Sequence, residues 1–202
     1  MSEELNEQKI ENKDKKVKSI ISWSITIIVC LIVAKLFTTF VVRSVEVDGY
    51  SMSTTLSDGD KALTDALFYK MSGLDRFDIV IVKRKNGMLK GEEIVKRVIA
   101  LPGETIEYKN GVLYINDEVV EEDFIDEDVK ELTGTISKRT LKEDEYFIMG
   151  DNRAHSTDSR TFGVIYKKEI KGRGLLRFMV CSGKDGNNEC NKRKLIWPSS
   201  VK

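Results

Sequence analysis

Three stretches of this 202-residue chain carry residue types that can do chemistry together. Ser51 lies in Asp48-Gly49-Tyr50-Ser51-Met52-Ser53-Thr54-Thr55-Leu56, and Lys96 lies in Ile94-Val95-Lys96-Arg97-Val98-Ile99-Ala100. A dense polar loop runs Gly150-Asp151-Asn152-Arg153-Ala154-His155-Ser156-Thr157-Asp158-Ser159-Arg160. A serine hydroxyl is a poor nucleophile until a neighbouring base takes its proton. Gly49, two residues before Ser51, lets the chain bend so that a serine can project from a turn, although a serine beside glycine is also an ordinary turn residue. A lysine accepts a proton only when neutral, and at the usual pKa of about 10.4 it is almost wholly protonated near neutral pH. Burial against apolar groups disfavours the ammonium form, and Ile94, Val95, Val98 and Ile99 supply an apolar strand around Lys96. Taken alone, that strand favours the plainer alternative of an exposed lysine on its polar face.

The loop also has two readings. It is either a surface turn held by local Asp and Arg pairs or a device that orients the base. His155, the only histidine, invites a Ser-His-Asp triad with Asp151 or Asp158 as its orienter. The one Ser-x-x-Lys string, Ser199-Ser200-Val201-Lys202, stands at the very terminus, out of the context that a penicillin-binding type of site requires. With one histidine and no CxxC pair, a zinc site is not expected.

The order and wording of the three stretches resemble the bacterial type I signal peptidases across residues 41–177. The match over 150–163, including Gly163, is long, and Arg97-Val98-Ile99-Ala100-Leu101-Pro102-Gly103-Glu104 is similar to the family's lysine box. The Ser51 match is shorter: Thr54 stands where the family pattern Ser-Met-x-Pro-Thr-Leu has proline. The resemblance implies that Ser51 is the nucleophile and Lys96 its base. It further implies that Ser156 hydrogen-bonds the Lys96 amine, that Asp151 pairs with Arg97 and Asp158 with Arg160, and that His155 is variable loop. An oxyanion would meet the Ser51 backbone N–H; Gly49 stands where some members add a hydroxyl. An extended substrate would add as a strand against residues 44–49 and 93–95. Val45, Val47, Met52, Ile94 and Val95 are then the expected substrate-binding residues, admitting small side chains such as alanine at the first and third positions before the cut. The implied activity is a serine endopeptidase that removes signal peptides from secretory preproteins, with no metal or cofactor.

Other features must position these residues. Segment 19–42 is apolar with one charge, Lys35, and spanning a bilayer as a helix takes about 20 such residues. Lys35 lies toward one end, where its stem can snorkel to the interface. Lys13, Lys15, Lys16 and Lys18 precede the segment, which predicts a cytoplasmic N-terminus. A cleaved signal sequence would have an apolar core of only about 7–15 residues and a small-residue cut site, which Phe37-Thr38-Thr39-Phe40 does not offer. The expected organisation is thus a cytoplasmic segment 1–18, a single-pass anchor 19–42 in membrane lipid, and an extracytoplasmic β-rich domain 43–202.

Short β-branched runs at 78–83, 94–100, 105–108, 112–115, 146–149 and 175–180 predict strands. Asn86-Gly87 and Asn110-Gly111 predict hairpin turns; only 65–72 hints at a helix beyond the anchor. The acidic stretch 118–131 reads as a solvated loop or hairpin edge. The fold class is therefore mainly β, and the resemblance implies coiled antiparallel sheets. Formal net charge is zero, which gives no argument for a nucleic-acid partner. Cys181 and Cys190 bracket a polar loop and read equally as a disulfide or two thiols. Two rivals remain: a self-cleaving Ser/Lys peptidase of the repressor type, whose DNA-binding domain this chain has neither the length nor the basic surface to supply, and a catalytically silent tethered β-domain that binds exported proteins.

Overall fold

The computed structural model describes residues 2–181 and 193–200; Cys190, and with it the question of a Cys181–Cys190 bond, lies outside them. The chain divides into two units, residues 1–41 and 42–202. The first is one continuous helix, α1 (Ser2–Phe40). Its stretch Lys18–Phe37 has a mean hydropathy of 2.4 and is long and apolar enough to cross a membrane. Trp23, Ile27, Leu31 and Phe37 are all at least half exposed, as side chains facing lipid would be.

Among the described residues the second unit has twelve strands: β1 (Val42–Glu46), β2 (Lys61–Asp65), β3 (Ile79–Lys83), β4 (Glu93–Ala100), β5 (Thr105–Lys109), β6 (Val112–Ile115), β7 (Glu118–Val120), β8 (Ile136–Thr140), β9 (Glu145–Met149), β10 (Ile165–Tyr166), β11 (Ile170–Cys181) and β12 (Arg193–Ser200). Short helices α2 (Tyr69–Ser72), α3 (Glu127–Glu131) and α4 (Ser159–Phe162) decorate the connections. The larger sheet has the order β1-β2-β11-β3-β4-β9-β10, with β12 also on β11; the smaller has the order β7-β6-β5-β8. Every pairing is antiparallel.

Strands β3 and β9 read as unbroken apolar runs because the larger sheet is covered on both faces, which removes the alternation of a half-solvated strand. On one face Val80, Val82, Val98, Ile148 and Ile165 form a cluster. A second cluster joins Ile99, Phe147 and Met149 of the larger sheet to Ile106, Tyr108 and Leu113 of the smaller, locking the two together. Each such side chain contributes about 1.5–3 kcal/mol by leaving water. A third, smaller group, Val47, Met52, Leu56 and Ile79, lies beneath the Ser51 turn.

Asn110-Gly111 makes the predicted two-residue hairpin, with φ of 51° and 83° closing Lys109 against Val112, as the twist of paired strands favours. Asn86-Gly87 falls instead inside a longer link between Lys83 and Glu93, themselves a pair in β3 and β4. The hint of a helix at 65–72 holds only for Tyr69–Ser72, because Asp65 ends β2 and its carboxylate accepts from the Leu67 and Phe68 N–H groups. The acidic stretch 118–131 is not a plain solvated loop. It forms β7, a turn and α3, and within it Glu122 is only 2% exposed because an arginine and a tyrosine meet its carboxylate.

Candidate active site

Gly49 opens the Ser51 turn at φ +92°, a conformation that strains any residue with a Cβ, and its N–H donates to Asp58 Oδ1 at 2.7 Å. The turn then closes on itself: Ser53 N–H donates to Tyr50 O at 3.2 Å, and the Thr55 and Leu56 N–H groups to Met52 O at 2.8 and 2.7 Å. Asn152 ties it down from the polar loop. Its backbone N–H donates to Ser51 O at 3.0 Å, and Nδ2 donates to Tyr50 O and Ser53 Oγ at 3.1 and 3.0 Å. These bonds supply stiffness that a proline at position 54 would otherwise contribute. Below, Met52 and Leu56 are buried plugs, so the turn is held at both its base and its rim.

Lys96 comes from β4 and is 4% exposed. Its Nζ donates to Ser51 Oγ at 2.6 Å and to Val95 O at 3.1 Å. Burial lowers its pKa from the ordinary value to about 8, against the opposing pull of Asp158 and Asp151. The plainer alternative of an exposed strand lysine therefore does not hold. The cost is that of keeping an ammonium out of water.

Arg97, next on β4, is fully buried and makes a bidentate pair with Asp151, at 2.8 Å from Nε and 2.6 Å from Nη2. Its remaining donors reach Phe77 O at 2.8 Å and Thr55 Oγ1 at 3.1 Å. Thr55 in turn donates to Asp151 Oδ2 at 2.5 Å. This set joins the serine turn, the lysine strand and the polar loop in one network. Asp158 accepts from Arg160 at 2.9 and 2.8 Å and from Gly150 N–H at 3.0 Å. Burial alone would raise its pKa, but Arg160 and the Gly150 N–H hold its carboxyl below the usual carboxylate range. The pairs Asp151–Arg97 and Asp158–Arg160 thus form as the resemblance implied.

Ser156 differs from expectation. Its Oγ makes no hydrogen bond to Lys96, which directs its bonds to Ser51 and Val95, and it stands near enough to Asp158 to help hold that carboxyl's pKa down. The Ser156 hydroxyl instead packs against Gly150, where an added Cβ would collide with it and with the Ser51 carbonyl oxygen. His155 is exposed, with Nδ1 3.3 Å from Asn152 Oδ1. Both aspartates that could orient it are engaged by arginines, so no triad assembles.

A cleft of about 310 Å3 opens over Ser51 and Lys96, with Val47, Met52, Ile94 and Val95 among its walls. Val45 is a correction to the expected substrate-binding set. It pairs with Ala62 and does not line the cleft, because β1 ends at Glu46 and the strand alternation stops before Val47. Thr55, Asn152 and Arg153 lie inside the sequence motifs, but the sequence assigned them no role.

A serine turn, a buried lysine and a loop that braces both stand together on a β scaffold. A family model described as signal peptidase, peptidase S26, matches residues 20–179, and the chain belongs to that family. Among its relatives, signal peptidase IB of Staphylococcus aureus strain COL is 32% identical over 176 residues, 80% of this chain and 90% of the relative. Signal peptidase I of Bacillus licheniformis is 36% identical over 170 residues, with the same coverage of each. A solved signal peptidase I from Enterococcus faecalis V583 shares 32% identity and aligns with a TM-score of 0.43 over 50% of this chain and 95% of that one.

Proposed function

We propose that this protein is a membrane-anchored serine endopeptidase that removes signal peptides from secretory preproteins with Ser51 as nucleophile and Lys96 as general base. The observation that carries the reading is the 2.6 Å contact between Ser51 Oγ and a buried lysine amine. Neutral Lys96 takes the hydroxyl proton as Ser51 attacks the peptide carbonyl, then donates it to the leaving amine. Water, deprotonated by the same amine, releases the acyl group from Ser51. Among the described residues no backbone carbonyl takes the Ser51 N–H, and that donor is the one assigned to the developing oxyanion. Arg97, Asp151, Thr55 and Asn152 fix the two reacting side chains relative to each other, so little reorganisation is left for the transition state.

The larger sheet supports the way in which substrate would lie. β9 pairs with β4 only from Arg97 onward, and among the described residues no strand covers that edge of Glu93–Lys96. An extended peptide can add there, with its side chains directed toward Val47, Met52, Ile94 and Val95. The lysines before the anchor favour an N-terminus in the cytoplasm and a catalytic unit outside.

In detergent-solubilised full-length protein, Ser51→Ala, Lys96→Ala and Lys96→Arg should each abolish preprotein cleavage, the last because a guanidinium stays protonated. His155→Ala should cleave almost normally. Substantial turnover by the Ser51 or Lys96 variants would remove the reading, and loss in His155→Ala as deep as in Ser51→Ala would restore the triad. For the orientation, protease added outside intact spheroplasts should digest the β-rich unit and spare residues 13–18; digestion only after permeabilisation reverses it.

A further inference from the structure

Arg153 takes no part in the proton transfers above, yet it is only 2% exposed and every direction of its guanidinium is occupied. Nη2 pairs with Glu122 Oε1, and Nη1 donates to Thr133 Oγ1 at 2.7 Å and Glu122 Oε2 at 3.3 Å. Nε donates to the Gly150 carbonyl at 3.1 Å. Glu122 is fixed in its turn by the Tyr108 hydroxyl, which donates to it at 2.9 Å; burial keeps that phenol's pKa well above its ordinary value, so it stays a donor.

Gly150 is the sensitive end of this chain of contacts. Asp158 holds its N–H, Arg153 holds its carbonyl, and there is no room for a Cβ between it and the Ser51 carbonyl. Two residues beyond Glu122, the Phe124 ring lies 4.0 Å from the Arg97 guanidinium and is braced edge-on by Phe77 at 4.9 Å. One short segment between β7 and α3 therefore touches both arginines that support the site. We infer that residues 122–125 form a strap by which the smaller sheet positions the catalytic loop, with Glu122 acting through Arg153 to seat Gly150 against Ser51. A buried ion pair is weak evidence of added stability, since apolar groups of similar size do as well. Three polar side chains, Glu122, Thr133 and Tyr108, converging on one guanidinium that is itself aimed at one carbonyl, serve geometry.

This inference rests on the Ser51–Lys96 reading, and the test separates the two. Full-length protein in detergent is assayed as wild type, Ser51→Ala, Glu122→Gln and Glu121→Gln, the last an exposed acid removed as a charge control. Glu122→Gln should lower kcat about ten- to a hundredfold, the scale of a misplaced reacting group, with KM for a peptide substrate unchanged. The acid limb of its pH–rate profile should move to higher pH. Water admitted by the loosened loop restores solvation to the Lys96 ammonium, whose low pKa comes from burial despite Asp158 and Asp151. Glu121→Gln should behave as wild type.

A role in folding alone predicts a deficit that disappears at a temperature where pulse proteolysis shows Glu122→Gln wholly native, with an unmoved acid limb; that result overturns the strap. If Glu122→Gln does not fold, the double variant Glu122→Gln/Arg153→Gln leaves no unpaired charge and should be native but slow; wild-type kcat there also overturns it. Active Ser51→Ala defeats the dyad and the strap together. An inactive Ser51→Ala beside a fully active Glu122→Gln defeats the strap alone.

Discussion

Lys96→Met should destroy activity and, near neutral pH, make the protein more stable. The gap between the ordinary lysine pKa of 10.5 and about 8 in the folded state corresponds to a penalty of about 3 kcal/mol for holding the ammonium in the fold. Methionine keeps an unbranched stem and carries no charge. Against the gain stand the lost bonds to Ser51 Oγ and Val95 O, about 1 kcal/mol net, which leaves the variant ahead by roughly 2 kcal/mol. Below about pH 8 folded and unfolded chains both bind the proton, so the penalty is fully present. Above that pH the folded lysine is neutral while the unfolded one is still charged, so wild-type stability climbs with pH relative to the variant. Pulse proteolysis in urea, on full-length protein in detergent, should show the variant's midpoint clearly higher near pH 7 and the two midpoints converging near about pH 9.5. A gap that does not change with pH, or a variant less stable at neutral pH, would refute the claim that Lys96 carries a burial penalty.

The pH–rate profile of the wild type should rise through about 8, where Lys96 becomes neutral; an acid limb near the ordinary histidine value of about 6.5 would point away from lysine. Gly150→Ala should leave little activity, because its methyl group must displace the Ser51 carbonyl or Ser156; normal kcat would show that the loop yields. Asp151→Asn leaves a fully buried Arg97 without its counter-charge and should cost about 3–5 kcal/mol, read as a lower urea midpoint together with a fall in kcat.

The chemistry was legible in the chain wherever local wording carried it. Ser51, Lys96, and the Arg97, Asp151, Asp158 and Arg160 pairs stand in three compact motifs, and the structure brings all three to one cleft. Strands β3, β4 and β9 were legible because β-branched and aromatic runs between polar ends have few other uses. Strand β2 was not: Lys61-Ala62-Leu63-Thr64-Asp65 has a lysine at one end and an acid at the other, and only pairing with β1 and β11 makes it a strand. Glu122 was hidden for another reason. Seven other acids surround it between 118 and 131, and nothing local distinguishes the one carboxylate that a distant arginine will bury. Ser156 marks the opposite case, a residue whose assigned role came from resemblance while its hydroxyl lies against Gly150.

The uncovered edge of Glu93–Lys96 bears on how these molecules coexist. A bare strand edge will pair with any extended chain, including the same edge of a neighbouring copy. Glu92, Glu93 and Asp48 all line the cleft and are exposed, with Glu93 3.4 Å from Lys83. Two copies approaching edge to edge would bring their Glu92 carboxylates toward one another, whereas a peptide with small neutral side chains meets no such repulsion. The open stretch is also only four residues long before β9 closes the sheet, too short to seed a growing stack of strands. Its shortness and its acidic flank make this edge a poor partner for the same edge of another copy.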